Sequence, residues 1–514
     1  MGSHLGFIRT LFRSDINPSN YKSRTLPALN IIDKYGRTFN LSWIGFFVAF
    51  ISWFAFPPLI HGIIQKDLQL TQAQIANSNI IGLLATFLVR LIIGPLCDKY
   101  GPRYVMVGCL LMGAIPTALI PLIKNAFGLM MIRFFVGVLG GTFVPCQVWI
   151  NQFFDKNIIG LANALAAGFG NAGGGVTFFL MPAIVSSLMN NNGISQYWAW
   201  RIAFPICPLV IIVFIAVIIL IFGHDTPTGS WRTRHLHQDT RQYGIQVIYR
   251  AESSNNTNDR IPITDISSCV NDGDTISYTS HQQTSPTTDT LETAIEPVDT
   301  RIVRTDYEIS QAPSAIDIWK TTFSLQTLLV ALPYLCSFGS ELAVEGIISD
   351  FYIQTTKNKD GIVWNSQTAG NWAAMFGLLN VITRPLGGYI SDVLYRYKGL
   401  VAKTWWLIFL GVMQGVFFIW IGLAQLHIYG LIGAMTGLAI FMDGANGAIF
   451  SLVPAIHPKF NGIVSGVTGA SGNLGGILFG LIFRFLGTDY HKSLWIIGIC
   501  CVGSNLAVTF ISLK

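Results

Sequence analysis

Charge is what this sequence has least of: only 11% of its 514 residues are Asp, Glu, Lys or Arg, against about 25% in average soluble domains. A soluble chain of this length would need more charge to cover about two or three domains. Hydrophobic residues reach 51%, aromatic residues 12%, and 51 residues are glycine. This balance argues against a soluble enzyme, a nucleic-acid binder and a disordered protein, and it is typical of a polytopic membrane protein.

Cysteine gives no sign of metal or redox chemistry. The eight cysteines show no metal-ligand or disulfide spacing, and most lie in apolar runs, where a free thiol behaves as a small hydrophobic group. We find no catalytic triad, metal cluster or phosphate-binding loop in a polar segment, so we expect no enzyme activity, no metal and no bound cofactor. About forty mostly polar residues precede the first apolar run, which argues against a secretory signal and predicts that this run remains as a membrane span.

Apolar runs of roughly 20 residues, long enough to cross a bilayer, occur twelve times, in two sets of six. The predicted fold class is an all-α polytopic membrane protein, with a tail over 1–41, an N-terminal half over 42–223, a hydrophilic loop over 224–320 and a C-terminal half over 321–514. The predicted spans are 42–64, 75–96, 104–123, 126–150, 159–184, 200–222, 321–348, 369–394, 403–424, 427–450, 461–486 and 492–513.

Lys and Arg are concentrated in alternate connections, which predicts the orientation of the chain. They are frequent in the tail, between spans 2 and 3 and between spans 8 and 9, and sparser in the intervening loops. Both termini and the hydrophilic loop are therefore expected in the cytosol. This loop has eight Lys or Arg against fourteen Asp or Glu and is rich in Ser, Thr, Asn and Gln, so we predict that it is mostly disordered.

A charged motif at the corner between spans 2 and 3 is partly repeated in span 8. Arg, Gly and Asp at spacings of four occur twice, 294 residues apart, at Arg90, Gly94 and Asp98 and at Arg384, Gly388 and Asp392. An acid and bases at a tight corner can gate the cytosolic side by pairing with a neighbouring helix end; the alternative is an ordinary charged loop. The candidate gating residues are Gly94, Asp98, Lys99, Gly101, Arg103 and Asp392.

A glycine and asparagine pattern also occurs twice, in spans 5 and 11. Residues 168–175 read GFGNAGGG and residues 469–476 read GASGNLGG, which places Asn171 and Asn473 302 residues apart. The first copy contains G-x-G-x-x-G, but no strand precedes it, so a dinucleotide site is rejected. Small residues allow close helix packing, and each asparagine is a polar amide at bilayer depth. Two matched six-helix halves predict a substrate site between them, near the membrane midplane.

Arg90 and Arg384 are the candidate substrate-binding cations. Each lies eight residues from the Asp of its motif, about 12 Å along a helix, so both sit inside the membrane at matched depths. A midplane arginine costs on the order of 2.5–3.5 kcal/mol or more, which an anion between the two would offset. The planar guanidinium suits a planar oxyanion. The alternative is that each arginine pairs with a structural acid such as Glu341 or Asp443.

These motifs resemble those of a known family. The charged corner resembles the signature of the major facilitator superfamily, and the two arginines with the two glycine/asparagine stretches resemble the nitrate/nitrite porter family within it. Residues 37–43, RTFNLSW, resemble the eukaryotic high-affinity nitrate transporters, and the long loop is similar to that of the fungal members. The resemblance covers about 36–223 and 320–513.

This resemblance implies roles for single residues. By it, Arg90 and Arg384 clamp the anion, Asn171 supplies an amide donor, and Phe143 and Tyr334 line the site. Taken alone, Phe143 fits a helix core better than a site, whereas Tyr334 has a hydroxyl to place. Asn473 is the matched counterpart of Asn171 in the second half.

The resemblance also implies proton symport, for which the candidate acids are Glu341, Glu345 and Asp443; the two glutamates share a helix face and can instead line the outward vestibule. We expect a plasma-membrane importer of nitrate, and of nitrite, that uses protons as coupling ion and works by alternating access. The alternatives are a porter of this fold for another anion, such as phosphate, and a non-transporting nutrient receptor. Other expected partners are membrane lipid and, on the loop, a kinase and ubiquitin or sorting machinery.

Overall fold

Eleven long apolar helices dominate the part of the chain that the computed structural model describes, residues 10–18, 20–233, 313–357, 364 and 366–509. One of them, Gln367–Leu423, has 57 residues, about 86 Å of helix, and covers two predicted spans. The backbone inside it leaves helical geometry at Lys398 and Gly399, where φ is +64°, a conformation that glycine adopts at little cost. The twelve predicted spans are therefore all present.

The spans fall into two sets of six, as predicted. Spans 1 to 6 are Lys34–Leu59, Gln72–Tyr100, Pro102–Leu122, Ala126–Phe153, Ile159–Asn190 and Gln196–Phe222. Spans 8 and 9 lie within Gln367–Leu423, and spans 7, 10, 11 and 12 are Leu325–Glu345, Ile428–Ile456, Pro458–Leu486 and Tyr490–Val508.

Span 1 begins eight residues before its predicted start, inside the predicted tail. Its first turns carry polar residues that find partners in neighbouring segments: Asn40 donates to the carbonyl of Ala28 at 2.8 Å, and Arg37 Nη2 lies 3.4 Å from the ring nitrogens of His224. The tail before it packs on the end of span 4, where the N–H of Ser23 donates to the carbonyl of Phe153 at 2.8 Å. These contacts explain why helix extends beyond the apolar run.

The two halves meet mainly along two pairs of helices, span 2 with span 11 and span 5 with span 8. Each pair joins a helix that carries the Arg-Gly-Asp repeat to a helix that carries the glycine/asparagine pattern. Large apolar side chains on the outside of the bundle are exposed, among them Ile92, Ile115 and Phe214, as expected for a surface that faces lipid. The repeated motifs of the sequence therefore lie at the interface between the halves.

Most of the predicted hydrophilic loop, 234–312, lies outside the described residues, and with it the predicted disorder and the predicted sites for a kinase or sorting machinery. The start of that loop, up to residue 233, packs on the corner between spans 2 and 3. Its end forms a short helix, Ala315–Thr322, before span 7.

Candidate functional site

Arg90 on span 2 is fully buried between the halves. Its Nε donates to the carbonyl of Gly140 on span 4 at 2.9 Å, and its Nη1 donates to the carbonyl of Gly469 on span 11 at 2.7 Å. Gly140 belongs to a 3₁₀ stretch, Gly137–Thr142, whose own hydrogen bonds have poorer geometry. The third nitrogen, Nη2, is buried and has no acceptor among the described residues.

Arg384 on span 8 occupies the matching place in the second half and is also fully buried. Its Nη1 donates to Asn380 Oδ1 at 3.2 Å, and its Nη2 donates to the hydroxyl of Tyr334 at 3.1 Å. Its Nε is buried without an acceptor in the part of the chain that the structure describes. Each arginine thus keeps one nitrogen whose hydrogen bond is unmade, at a cost of about 1–3 kcal/mol.

The two guanidiniums share the same aromatic rings. The guanidinium carbon of Arg90 lies 5.0 Å from the ring centroid of Phe143 and 5.4 Å from that of Phe338. The corresponding distances for Arg384 are 5.9 and 5.7 Å. Tyr334 stacks between these rings, with centroid distances of 6.3 Å to Phe143 and 5.1 Å to Phe338. The structure therefore brings four predicted site residues to one place, and Phe143 is both core and site wall.

Neither arginine pairs with an acid in the described part of the chain. Within the described residues no carboxylate lies within 4 Å of either guanidinium, so the alternative of direct pairing with Glu341 or Asp443 does not hold. Two buried like charges repel each other, and backbone carbonyls, a phenol and an amide offset only part of that cost. An oxyanion between the two would accept the unmade hydrogen bonds and offset part of the repulsion.

The two predicted asparagines differ in their surroundings. Asn473 Nδ2 donates at 3.0 Å to the carbonyl of Gly469, the same carbonyl that Arg90 bonds, so Asn473 belongs to the arginine cluster. Asn171 is 3% exposed, and neither atom of its amide has a hydrogen-bond partner among the described residues. Its N–H groups stay available to an anion, although no contact joins it to either arginine here.

The three candidate acids lie together and are buried, rather than in an open vestibule. Glu341 accepts hydrogen bonds from Asn380 Nδ2 at 2.8 Å and from Asn446 Nδ2 at 2.7 Å. Asp443 Oδ2 accepts from the hydroxyl of Thr383 at 3.1 Å. Glu345 is 6% exposed. Of the three acids, Glu341 is the one joined to the arginine cluster by a single side chain, that of Asn380.

The two motif aspartates each hold the N-terminus of a helix in the opposite half. Asp98 accepts a hydrogen bond from the N–H of Gly462, at the start of span 11, at 3.1 Å. Asp392 accepts one from the N–H of Leu161, at the start of span 5, at 3.0 Å. Negative charge at a helix N-terminus is stabilising, so these contacts hold the halves together at the predicted cytosolic end, which supports the gating role that the sequence suggested.

The remaining candidate gating residues differ in whether they contact a neighbouring segment. Arg103 pairs with Asp225, after span 6, at 3.1 Å. Asp225 also accepts from the N–H of Trp231, and the ring of Trp231 lies 3.0 Å from where a Cβ on Gly101 would stand. Lys99 is exposed and lies over the ring of Tyr100, so it takes no part in closing this corner as the structure has it.

Two residues of the site were missed in the sequence. Asn380 precedes Arg384 by four residues and Phe338 follows Tyr334 by four, so each shares a helix face with a predicted site residue. That spacing was a usable signal. The carbonyls of Gly140 and Gly469 carried no signal, because their direction depends on how spans 4 and 11 pack against span 2.

Comparison with known proteins agrees with this architecture. The profile of the Major Facilitator Superfamily matches residues 42–480. The E. coli fucose:proton symporter has the same fold, with a TM-score of 0.56 over 94% of this chain and 100% of that one, at 13% identity.

Several curated relatives are similar over nearly the whole chain. The chain is 33% identical to Elsinochrome transporter 1 of Elsinoe fawcettii, over 96% of each chain, and 30% identical to High affinity nitrate transporter 2.5 of Arabidopsis thaliana, over 95% of this chain and 82% of that one. The Nitrate/nitrite transporter NrtP of Nostoc punctiforme is 26% identical over 88% of this chain and 87% of its own.

These findings define a multi-pass membrane transporter rather than an enzyme. The chain belongs to the Major Facilitator Superfamily and, as the sequence predicted, to its nitrate/nitrite porter family. Its assignment to the fungal branch of that family stays a prediction.

Proposed function

We propose that this chain imports nitrate, and nitrite with it, in symport with protons. The observation that carries the proposal is the pair of buried guanidiniums, Arg90 and Arg384. Their guanidinium carbons lie 5.0 to 5.9 Å from the centroids of the same two rings, and each keeps one nitrogen without an acceptor in the described residues. An anion between them would accept those hydrogen bonds, and a monoanion such as nitrate would balance one of the two positive charges. A neutral sugar would leave the two charges unbalanced.

Nitrate and nitrite suit this pair because they are small, planar and singly charged. A guanidinium presents its N–H groups in one plane and bonds a planar oxyanion along an edge. In the arrangement described, each guanidinium has one nitrogen free for one oxygen of the anion, and an edge-on pair of bonds requires that each arginine gives up one of its present hydrogen bonds. The relatives named as nitrate transporters support the same substrate.

Two rivals remain. The relative named as an elsinochrome transporter favours a larger substrate, but such a substrate would have to separate Phe143, Tyr334 and Phe338, whose rings stack at 5.1 and 6.3 Å. Phosphate would also accept paired hydrogen bonds from a guanidinium, so competition with nitrate uptake has to separate these two substrates. A non-transporting nutrient receptor would bind the anion without moving it.

Energetics and the position of Glu341 support proton coupling. Bringing one anion into a cell with an inside potential of −100 mV costs about 2.3 kcal/mol, so more than one proton per nitrate is needed for the potential to drive uptake. Glu341 is linked through Asn380 to Arg384, and a change in its charge would reach the anion site directly. We propose Glu341 as the main coupling acid, with Glu345 and Asp443 in the same cluster.

The transport cycle would use the two helix ends held by Asp98 and Asp392. With both contacts made, the predicted cytosolic end is closed; inward release requires that span 11 leaves Asp98 and span 5 leaves Asp392. We place the protein in the plasma membrane, with both termini in the cytosol.

The deciding experiment is uptake of labelled nitrate by cells that lack their own nitrate transporters. Uptake that nitrite and chlorate reduce, and phosphate does not, is the expected result. Competition by phosphate alone would favour the phosphate porter. Binding of nitrate by the purified protein with no flux would favour the receptor.

A further inference from the structure

Arg133 on span 4 is a third buried arginine for which the described residues supply no carboxylate partner. It is 8% exposed. Its Nη1 donates to Ser78 Oγ at 2.7 Å and to Asn79 Oδ1 at 2.6 Å, both on span 2, and its guanidinium carbon lies 5.4 Å from the ring of Phe56. All of these partners are neutral. A buried charge without a counter-charge is costly, which raises the question of what it serves.

Arg201, at the same end of the N-terminal half, shows how a buried positive charge is usually balanced, by a carboxylate. It is fully buried, and its Nη1 lies 2.7 Å from Asp67 Oδ2. Of the five buried Lys and Arg in the described residues, Arg201 and Lys403 have a carboxylate within 4 Å. The three that have none are Arg90, Arg384 and Arg133. Arg133 thus shares with the two central arginines a buried positive charge that an anion would balance.

Arg133 lines a cavity that leads to the predicted outer end. This inner cavity, of about 40 Å³, adjoins an outer cavity of about 310 Å³ between spans 2, 7, 11 and 12. The outer cavity reaches the ends of its helices, at Gln72 and Thr488. The residues that line both cavities, and so join them, are Asn79, Leu83, Leu342 and Gly346.

The lining of both cavities is suited to an anion. Among the described residues, the charged residue that lines the inner cavity is Arg133, and the one that lines the outer cavity is Arg484. Asn79 adds a neutral donor. Its Oδ1 accepts the hydrogen bond from Arg133, while its Nδ2 has no hydrogen-bond partner in the described part of the chain. This Nδ2 lies 3.6 Å from where a Cβ on Gly346 would stand. The inner cavity therefore offers a guanidinium and an amide N–H, and no carboxylate.

The inner cavity also lies on the way to the central site. Asn79 precedes Arg90 by eleven residues on span 2, which is about three helical turns, so both face the same side about 16 Å apart. A cavity of about 40 Å³ has room for a few water molecules or one small inorganic anion.

We propose that Arg133 and Asn79 form an outer binding site for a small oxyanion, which takes the anion from the outer cavity before it reaches Arg90 and Arg384. The inference rests on the proposed function, because the anion is the transported one. A fixed positive charge in a low-dielectric cleft raises the local concentration of an anion and its rate of entry. The site therefore acts on the half-saturation constant of uptake rather than on its maximal rate.

Asn79→Asp is the informative variant. It places a carboxylate against Arg133, as Asp67 stands against Arg201, so the protein should fold while the free positive charge is lost. Asn77→Asp is the matched control, because Asn77 Oδ1 accepts from Arg484 Nε at 2.7 Å in the outer part of the route. Arg133→Lys keeps the charge and tests whether charge alone suffices.

Labelled-nitrate uptake is measured per surface-exposed transporter over a range of ionic strengths, with sodium gluconate replacing sucrose. We expect Asn79→Asp to raise KM about tenfold and to flatten its dependence on salt, with a maximal rate near that of the wild type. Asn77→Asp should raise KM less than about threefold, and Arg133→Lys should keep most of the salt dependence.

Two outcomes would overturn the outer site. The first is a KM and a salt dependence in Asn79→Asp that equal those of the wild type. The second is a rise of KM in Asn77→Asp as large as in Asn79→Asp, which would mean that the electrostatic field of the whole outer cavity, and not a site at Arg133, attracts the anion. Lack of nitrate uptake by the wild type would refute the proposed function instead, and these two failures are therefore distinguishable.

Discussion

Arg384 and Glu341 are joined through one side chain, that of Asn380. The amide oxygen of Asn380 accepts from Arg384 Nη1 at 3.2 Å, and its nitrogen donates to Glu341 Oε1 at 2.8 Å. An anion that bonds Arg384 would alter the hydrogen bond between Arg384 and the Asn380 amide. This in turn would alter the hydrogen bond that the amide donates to the Glu341 carboxylate. The proposed substrate and proton sites can therefore influence each other without being in contact.

Glu341→Gln is expected to uncouple transport from protons. The amide cannot bind a proton, so acidic external medium should no longer stimulate uptake, whereas exchange of external for internal labelled nitrate should persist. Uptake and exchange in reconstituted vesicles measure the two activities. Glu345→Gln, four residues along the same helix, is the matched control; if it alone loses the pH response, the coupling acid is Glu345.

Replacement of Arg90 or Arg384 by Lys should lower nitrate uptake by about 100-fold, because a point charge cannot reproduce the planar pair of hydrogen bonds. Initial uptake rates at equal amounts of surface protein provide the measurement. Arg396→Lys, the same substitution at an exposed residue between spans 8 and 9, should have no effect. Normal uptake by either buried variant would remove that arginine from the site.

The sequence predicted the fold and the central arginines because both depend on local signals. Twelve apolar runs and two repeated motifs specify the spans and their pairing, and an arginine inside an apolar run stands out by its cost. Asn380 and Arg133 were not predicted as site residues. Asn380 is a neutral amide whose importance depends on Glu341, 39 residues earlier. Arg133 is distinguished by the lack of an acid near it, and only the packing of spans 2 and 4 reveals that.

Nitrate should evoke an inward positive current if more than one proton accompanies each anion. The current should grow as the external medium becomes more acidic, because protonation of the coupling acid from outside becomes more frequent. Voltage-clamped cells that express the protein allow a direct measurement, and cells that express Arg384→Lys are the control. An outward current, or none during measurable uptake, contradicts this stoichiometry.

Gly462→Ala should impair closure of the cytosolic end. A Cβ at Gly462 would stand 2.6 Å from Asp98 Oδ1, so the aspartate would lose its hydrogen bond to the start of span 11. By analogy with a lost helix cap, this would destabilise the closed state by about 0.5–2 kcal/mol. A lower maximal rate of uptake is expected. Gly108→Ala in span 3 is the control, since a Cβ there meets nothing within 4 Å; equal loss in both variants would point to helix packing instead.

Deletion of residues 240–300 should leave the half-saturation constant for nitrate unchanged, because the residues of both halves that form the site lie outside that stretch. The predicted consequence is altered retention at the cell surface after a switch to a preferred nitrogen source, measured by surface labelling over time. Loss of uptake by correctly delivered protein would show that the stretch belongs to the transport machinery. Asn255, in Asn255-Asn-Thr257, matches a glycosylation acceptor and should stay unmodified if this stretch is cytosolic.

The packing of Trp231 against Gly101 fixes where the hydrophilic loop leaves the helical body. A protein that binds just beyond Thr233 is thereby tethered beside the corner that Asp98 and Arg103 close. Such a partner could slow the transporter by its bulk alone, with no added charge and no change at the anion site. The same attachment point would suit a fluorescent reporter, because a dye linked after Thr233 would move with the corner itself.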